Sequence, residues 1–214
     1  MDLAETKITF KASLKIFKNF EATLREAMFK RDALLAHVIA AITPELIEFA
    51  KEHRNSDVAR REIAKRTRAV ETRLLNVALS KSVARDFDAA IEAGKYCRDA
   101  VLNRVILLLA PSINILEGVS HSNVGSSEIL QHDRRWPLAQ VVDILKDPLA
   151  TYRDLDAFGD EIWSWPIAGQ HLSAVSCYVD DRYVPGTEKY IEDEKLLAEL
   201  LVGSPKMGKQ GIKT

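Results

Sequence analysis

The chain is poor in the residues that define several protein classes. Cysteine occurs twice and glycine nine times in 214 residues, which excludes a disulfide-stapled scaffold and a collagen-like fibre. Neither charge sign dominates, since 30 lysines and arginines face 31 aspartates and glutamates. The 47% of hydrophobic residues is typical of a soluble globular chain, long enough for one sizeable core or one domain with an appendage.

Long apolar segments are also missing. The longest wholly apolar run, residues 105–110, has six residues, whereas a membrane-spanning helix needs about 20. The first residues mix acids and lysines with apolar positions, unlike a signal peptide. Cys97 and Cys177 form no CxxC pair, and we interpret them as buried free thiols, with a disulfide or a reactive cysteine as the alternative. We expect a cytoplasmic protein, or a component of a viral particle if it is coat-like.

Charge, proline and glycine divide the chain near residue 110. Residues 1–110 hold 20 basic and 15 acidic residues, a charge of +5, and residues 111–214 hold 10 and 16, a charge of −6. The first part contains one of the seven prolines and one of the nine glycines. It therefore favours long helices, whereas the second part favours shorter, interrupted elements.

From this division we predict a mainly all-α protein in three parts. An elongated antiparallel bundle of about four helices, rich in basic residues, spans 1–117. An acidic, loop-rich arm with short helices spans 118–202, and a disordered tail spans 203–214.

The apolar periodicity predicts where the helices of the bundle lie. Spacings of three, four and seven predict a first helix over about 12–42, with a break near Lys30. Pro44 predicts the start of a short second helix. A third helix is predicted from Ser56 to about Ser80, and a fourth from Ser82 to Pro111.

The arm is predicted to end in an amphipathic helix. Thr187 is a good N-cap, and the helix it begins runs over 187–202. Because a helix of this length does not persist alone in water, we expect Ile191, Leu196 and Leu200 to be buried against a partner surface.

Few motifs carry known chemistry. The phosphate-binding, hydrolase, zinc-protease and EF-hand patterns are all absent. Arg31 and His37 fit the R-x(4–6)-H pattern that some all-helical ribonucleases of the HEPN type use, and a structural histidine is the alternative. A small all-α enzyme, either metal-dependent or HEPN-like, therefore stays an alternative with an unassigned site, and we predict no cofactor and no bound metal.

Histidines of the second half offer one further grouping. His121, His132, Asp133 and His171 would suit a divalent metal or acid–base chemistry if loops brought them together. No two of them have ligand spacing on one element, so isolated surface histidines are the simpler interpretation. The three tryptophans, Trp136, Trp163 and Trp165, are interpreted as core residues, with nucleobase stacking or partner binding as the alternative.

The most specific surface in the sequence is basic. Residues 54–73 contain seven basic and three acidic residues, a charge of +4. At about 100° per residue, Arg61, Lys65 and Arg68 lie on one side of the predicted third helix. Arg54 joins them if that helix starts early, and Ile63 and Thr67 lie on the opposite side. We predict that these four basic residues contact either nucleic acid or an acidic partner such as the arm of the same protein, and an ordinary solvated face is the alternative.

The charge layout favours a non-catalytic helical assembly or scaffold protein, coat- or nucleocapsid-like in character. In such a homo-oligomer, the acidic arm of one subunit would lie against the basic bundle of the next. The first alternative is a nucleic-acid-binding module that uses residues 54–73. The second is the small all-α enzyme described above.

Overall fold

The computed structural model describes residues 5–110, 162–163 and 175–203, of which 200–203 are described through their backbone alone. Helices make up 66% of this part, together with a two-stranded sheet, so the mainly α class is confirmed. In chain order the elements are β1 (Glu5–Ser13), α1 (Leu14–Glu26), α2 (Arg31–Glu52), α3 (Asp57–Arg68), β2 (Thr72–Ser80), α4 (Lys81–Ala93), α5 (Arg98–Leu109), a 3-10 turn (Asp181–Tyr183) and α6 (Glu188–Gly203).

The sheet comes from two segments with alternating burial. In β1, Ile8, Phe10 and Ala12 point into the core while Lys7 and Lys11 are exposed, the period of two that a half-buried strand requires. β2 runs antiparallel to β1 over nine paired positions, and its buried residues are Leu75, Val77 and Leu79. The buried face of the sheet is therefore wholly apolar.

Two of the predicted long helices are wrong over part of their length. The segment predicted as a helix from residue 12 is strand through Ser13, and the predicted third helix ends at Arg68. Residues 72–80 form β2 instead, because their apolar residues at alternate positions complete a sheet face with β1. The break expected near Lys30 is present between α1 and α2.

α2 continues through the proline that was predicted to begin a helix. Pro44 lies inside α2, where the hydroxyl of Thr43 donates a hydrogen bond to the Ile39 carbonyl at 2.6 Å. Apolar burial holds the helix through this position, since Ile42 and Leu46 are both buried. By length and composition α2 would suffice to cross a membrane, with a mean hydropathy of 1.6, but half of that window is buried against the chain, as in a core helix.

The predicted fourth helix is divided at Gly94. α4 ends at Ala93 and α5 begins at Arg98. The Tyr96 ring folds back over Gly94 and occupies the space that a Cβ would need. Its hydroxyl donates a hydrogen bond to the His53 carbonyl. Glycine is therefore required here for the close approach of an aromatic ring.

Two buried polar side chains attach the C-terminal residues to the helices. Arg104 on α5 lies in the core, and its Nε donates to the Ile162 carbonyl at 2.6 Å. Burial lowers the pKa of this guanidinium. Asn55 donates to the Cys177 carbonyl at 2.9 Å and accepts from the Val179 N–H at 3.1 Å. Ile162, Trp163, Val175 and Cys177 thus share one core with the helices of the first half.

Candidate interaction surface

α3 presents its basic residues to solvent because its other side is anchored. Ser56 caps the helix by accepting a hydrogen bond from the Ala59 N–H at 3.0 Å. Ile63 and Thr67 are buried, as predicted, and they turn the opposite side outward. We call the exposed Arg54, Arg61, Lys65 and Arg68 the basic surface.

Arg54 belongs to this surface by proximity and not by helical position. α3 begins at Asp57, so Arg54 lies in the linker 53–56. Both Arg54 and Arg61 act electrostatically on the Asp57 carboxylate. The linker therefore extends the positive charge of α3 beyond its first turn.

Neighbouring acids compensate only part of this charge. The carboxylate of Asp57 accepts a hydrogen bond from Lys95 at 2.8 Å, and this ammonium holds the pKa of Asp57 below its usual range. Glu62 pairs with Arg66 at 3.0 Å and lies 3.8 Å from Lys65.

Two guanidinium groups of the basic surface have no acidic partner among the described residues. Within the part of the chain that the structure describes, Arg54 and Arg68 form no ion pair or hydrogen bond through their side chains, whereas the Arg61 side chain donates to the Asp57 carbonyl at 3.1 Å. The basic surface therefore retains a net positive charge.

α6 carries the opposite charge and starts near the N-terminal end of α3. The Ser56 hydroxyl donates to the Asp181 carboxylate at 2.6 Å, and this contact holds the turn that precedes α6. Thr187 caps α6 as predicted, accepting from the Tyr190 N–H at 3.3 Å. α6 contains five acidic and two basic residues, a charge of −3.

The apolar side chains of α6 are largely exposed within the single chain, so their predicted burial against a partner surface stays a prediction. Ile191 is 46% exposed, Leu196 57% and Leu197 58%, and the Leu200 side chain lies outside the described residues. Among the residues that are described, no ion pair links α6 to α3. Within the described residues, α6 packs mainly on the 3-10 turn before it.

A second feature is a cleft of about 280 Å³ between α3, α4 and α5. Its charged groups already have partners, since Arg60 pairs with Glu92 at 2.7 Å and Arg98 pairs with Asp88 at 2.6 Å. Asp99 accepts a hydrogen bond from the Lys11 N–H at 3.1 Å. These contacts tie the helices together, and the Nε of Arg98 is buried beside the cleft with no hydrogen-bond partner among the described residues.

Of the other candidate catalytic and metal-binding residues, Arg31 and His37 lie in the described part of the chain. Arg31 pairs with its neighbour Asp32 at 2.6 Å, and His37 is exposed on α2. His121, His132, Asp133 and His171 lie outside the described residues, as do Trp136 and Trp165. In the described part of the chain, no three histidine, cysteine or acidic residues are grouped as metal ligands.

The expectations for Trp163 and the cysteines are met in part. Trp163 is buried in the core, and its Nε1 donates to Glu45 at 2.8 Å. Both cysteines are free thiols, but only Cys177 is fully buried, and Cys97 is half-buried. Burial raises the pKa of the Cys177 thiol to about 12.

The sequence-based predictions missed two buried asparagines whose side chains link distant segments of the chain. No role was predicted for Asn55, and Asn103 lies inside the predicted fourth helix. Asn103 in fact donates to the Lys11 carbonyl at 2.9 Å and accepts from the Ser13 N–H at 2.7 Å. The available signal was an asparagine within the mostly apolar segment 100–110, because a buried amide needs hydrogen-bond partners.

No protein-family model, no curated protein and no solved structure matches the chain.

Proposed function

We propose that this chain is a non-catalytic, self-associating helical scaffold protein, coat- or nucleocapsid-like in character. In this proposal residues 1–117 form a basic helical bundle and residues 118–202 an acidic arm. α6 carries the proposal, because it is an acidic helix whose Ile191, Leu196 and Leu197 are about half exposed. Its partner is the basic surface of a second copy.

Charge and apolar burial both favour this contact between subunits. α6 has a charge of −3, and the basic surface adds four positive charges. Because about half of each apolar side chain is already covered, completing their burial stabilises the contact by about 1 kcal/mol per residue. Charge complementarity sets the register and speeds association.

The contact is head-to-tail, since two different surfaces of the same chain meet. Such heterologous contacts repeat from subunit to subunit, and they produce a ring where the rotation closes or a filament where it does not. The expected product is therefore an oligomer larger than a dimer.

The direct test reverses the charge of the basic surface. The triple variant Arg61→Glu, Lys65→Glu and Arg68→Glu should lower the molar mass measured by size exclusion with light scattering, while the helical circular dichroism is retained. A matched control changes Lys15, Lys18 and Arg25 to Glu on the exposed side of α1. Arg25 binds the Glu21 carbonyl four residues earlier at 3.3 Å, as Arg61 binds that of Asp57.

A charge-swap experiment then identifies the partner. Changing Glu192, Asp193 and Glu194 to Lys should dissociate the oligomer alone and restore it when combined with the triple variant. A triple variant with the wild-type mass, or one that dissociates no further than the α1 control, would refute the proposal.

Nucleic-acid binding through residues 54–73 is the second candidate, favoured by the exposed, unpaired guanidinium groups of Arg54 and Arg68. Contacts of this kind go to phosphates, and they weaken steeply with salt while staying indifferent to base sequence. The ratio of absorbance at 260 and 280 nm on the same chromatographic peak should then fall in the triple variant and not in the α1 control.

A further inference from the structure

The outer edge of β2 carries main-chain groups with no partner in the described chain. The N–H groups of Lys11 and Ser13 bond to Asp99 and Asn103 on α5, so these residues point away from β2. Their cross-strand neighbours are Leu74 and Thr72. In an antiparallel pair of strands, when the main-chain N–H and C=O groups of one residue point away from the partner strand, those of the directly opposed residue also point away, toward the other edge. The main-chain groups of every second β2 residue therefore line its outer edge: Thr72, Leu74, Asn76, Ala78 and Ser80.

The two edges of the sheet differ in how they are protected. On β1, α5 side chains occupy the edge at Lys11 and Ser13, and three of the five outward residues are charged: Glu5, Lys7 and Lys11. On β2 none of the five outward residues is charged and the strand contains no proline. Edge strands of soluble proteins are normally protected by charges, proline or a covering element. Among the described residues, the five outward positions of β2 have no charge or proline, and the charged residue within the strand, Arg73, lies on the other face of the sheet, opposite Ala12.

Space and exposed apolar surface accompany this unprotected edge. Leu74 is 61% exposed, an unusual state for a leucine in a nine-residue strand. A cleft of about 310 Å³ borders the strand between Leu74, Asn76 and the start of α2 at Arg31. An added strand would lie about 4.8 Å from β2.

We propose that β2 pairs antiparallel with β2 of a second copy, which joins two sheets into one of four strands. The register that opposes all nine residues has its two-fold axis at Asn76. It places Leu74 opposite Ala78 of the second copy, so the exposed leucine meets a small apolar side chain. Cross-strand pairs of this kind stabilise a sheet.

Charges at the ends of β2 favour the same register. Glu71 and Lys81 are both exposed and flank the strand. With the axis at Asn76, Glu71 of each copy stands opposite Lys81 of the other, and no two like charges are opposed within the strand. This two-fold contact uses none of the residues of the basic surface or α6, so it goes beyond the proposed head-to-tail assembly and does not depend on it.

Disulfide trapping tests the register directly. In this arrangement the two Asn76 residues form a hydrogen-bonded pair with Cα atoms about 5.5 Å apart, a separation that a disulfide spans. Asn76→Cys in a Cys97→Ser background should therefore give a covalent dimer on mild oxidation. Cys177 is fully buried and stays unreactive.

Thr9→Cys in the same background is the matched control. The Thr9 hydroxyl donates to Asn76 at 2.6 Å, so both variants lose the same hydrogen bond. Both positions are exposed on the same face of the sheet. The two Thr9 residues of the dimer would be three strand spacings apart, about 14 Å, beyond the reach of a disulfide.

Leu74→Lys supplies an independent measurement without cysteine. Its side chain is largely exposed, so the fold should survive while the edge becomes protected and the two-fold contact is lost in light scattering. Equal cross-linking of the Asn76 and Thr9 variants, or an unchanged mass for Leu74→Lys, would overturn the proposal. The experiment can be repeated with Arg61, Lys65 and Arg68 all changed to Glu. If the Asn76 variant still cross-links there, the pairing of β2 with β2 stands even if the head-to-tail assembly fails.

Discussion

Asn55 should be the side chain whose loss most directly frees the C-terminal segment. It is buried, and its amide joins the linker before α3 to the segment before the 3-10 turn. We consider Asn55→Ala, which removes the bonds to the Cys177 carbonyl at 2.9 Å and the Val179 N–H at 3.1 Å together. A longer contact to the Lys95 carbonyl, at 3.4 Å, is lost as well.

The expected destabilisation follows from the burial of the two main-chain groups that lose their hydrogen-bond partner. Cys177 is fully buried, so its carbonyl is left without a partner, at a cost of about 1–3 kcal/mol. Val179 is only half-buried, so its N–H regains water and the loss is about 1 kcal/mol. The total of about 2–4 kcal/mol is large against the 5–15 kcal/mol that is typical of a folded domain.

Urea unfolding measures this loss as a lower midpoint at an unchanged slope. Trypsin provides a local readout, because Arg182 is exposed directly after the segment that Asn55 holds and should be cut faster in the variant. Asn55→Asp keeps the acceptor for Val179 but places a carboxylate against the Cys177 carbonyl, so it should not rescue stability.

Asn19→Ala is the control, since Asn19 is exposed on α1. If Asn55→Ala unfolds within about 0.5 kcal/mol of wild type, the range of ordinary surface substitutions, and Arg182 is cut at the wild-type rate, Asn55 does not hold this segment.

Two further predictions concern the turn at Gly94 and the buried thiol. Gly94→Ala forces the Tyr96 ring out of its position and should lower the free energy of unfolding by about 1–3 kcal/mol. In calorimetry this loss of stability should be smaller in a Tyr96→Ala background. Equal losses in the two backgrounds would contradict the contact between Gly94 and the Tyr96 ring. Cys177 has a folded-state pKa of about 12 against 9.0 when unfolded, so its contribution to stability is complete below pH 9 and is lost as the pH rises toward 12. Cys177→Ala should flatten that alkaline decline, and Ellman's reagent should label only Cys97 in the native protein; rapid labelling of both thiols would refute the burial.

Signals within a few residues of each other predicted the fold best. The caps at Ser56 and Thr187 and the break near Lys30 depend on local chemistry, and all three are present. The exposed side of α3 followed from helical geometry, because the buried Ile63 and Thr67 orient it.

Predictions from local sequence patterns failed where a segment pairs with a strand that is distant in sequence. Val70, Leu74 and Val77 fit a helical spacing, and only the partner strand β1, far away in sequence, makes residues 72–80 a strand. The burial of α6 stays a prediction, since an amphipathic pattern predicts that a helix needs a partner and does not say whether that partner belongs to the same chain.

The buried guanidinium of Arg104 has a consequence for how the chain is synthesised. Composition changes near residue 110, yet the carbonyl that Arg104 holds most closely belongs to Ile162, and Val175 contributes a second at 3.4 Å. A ribosome that has released α5 has not yet supplied these two oxygens, so both bonds form only after residues 162 and 175 have been synthesised. The change in composition near residue 110 therefore does not separate Arg104 from these partners, because both bonds join residues on its two sides.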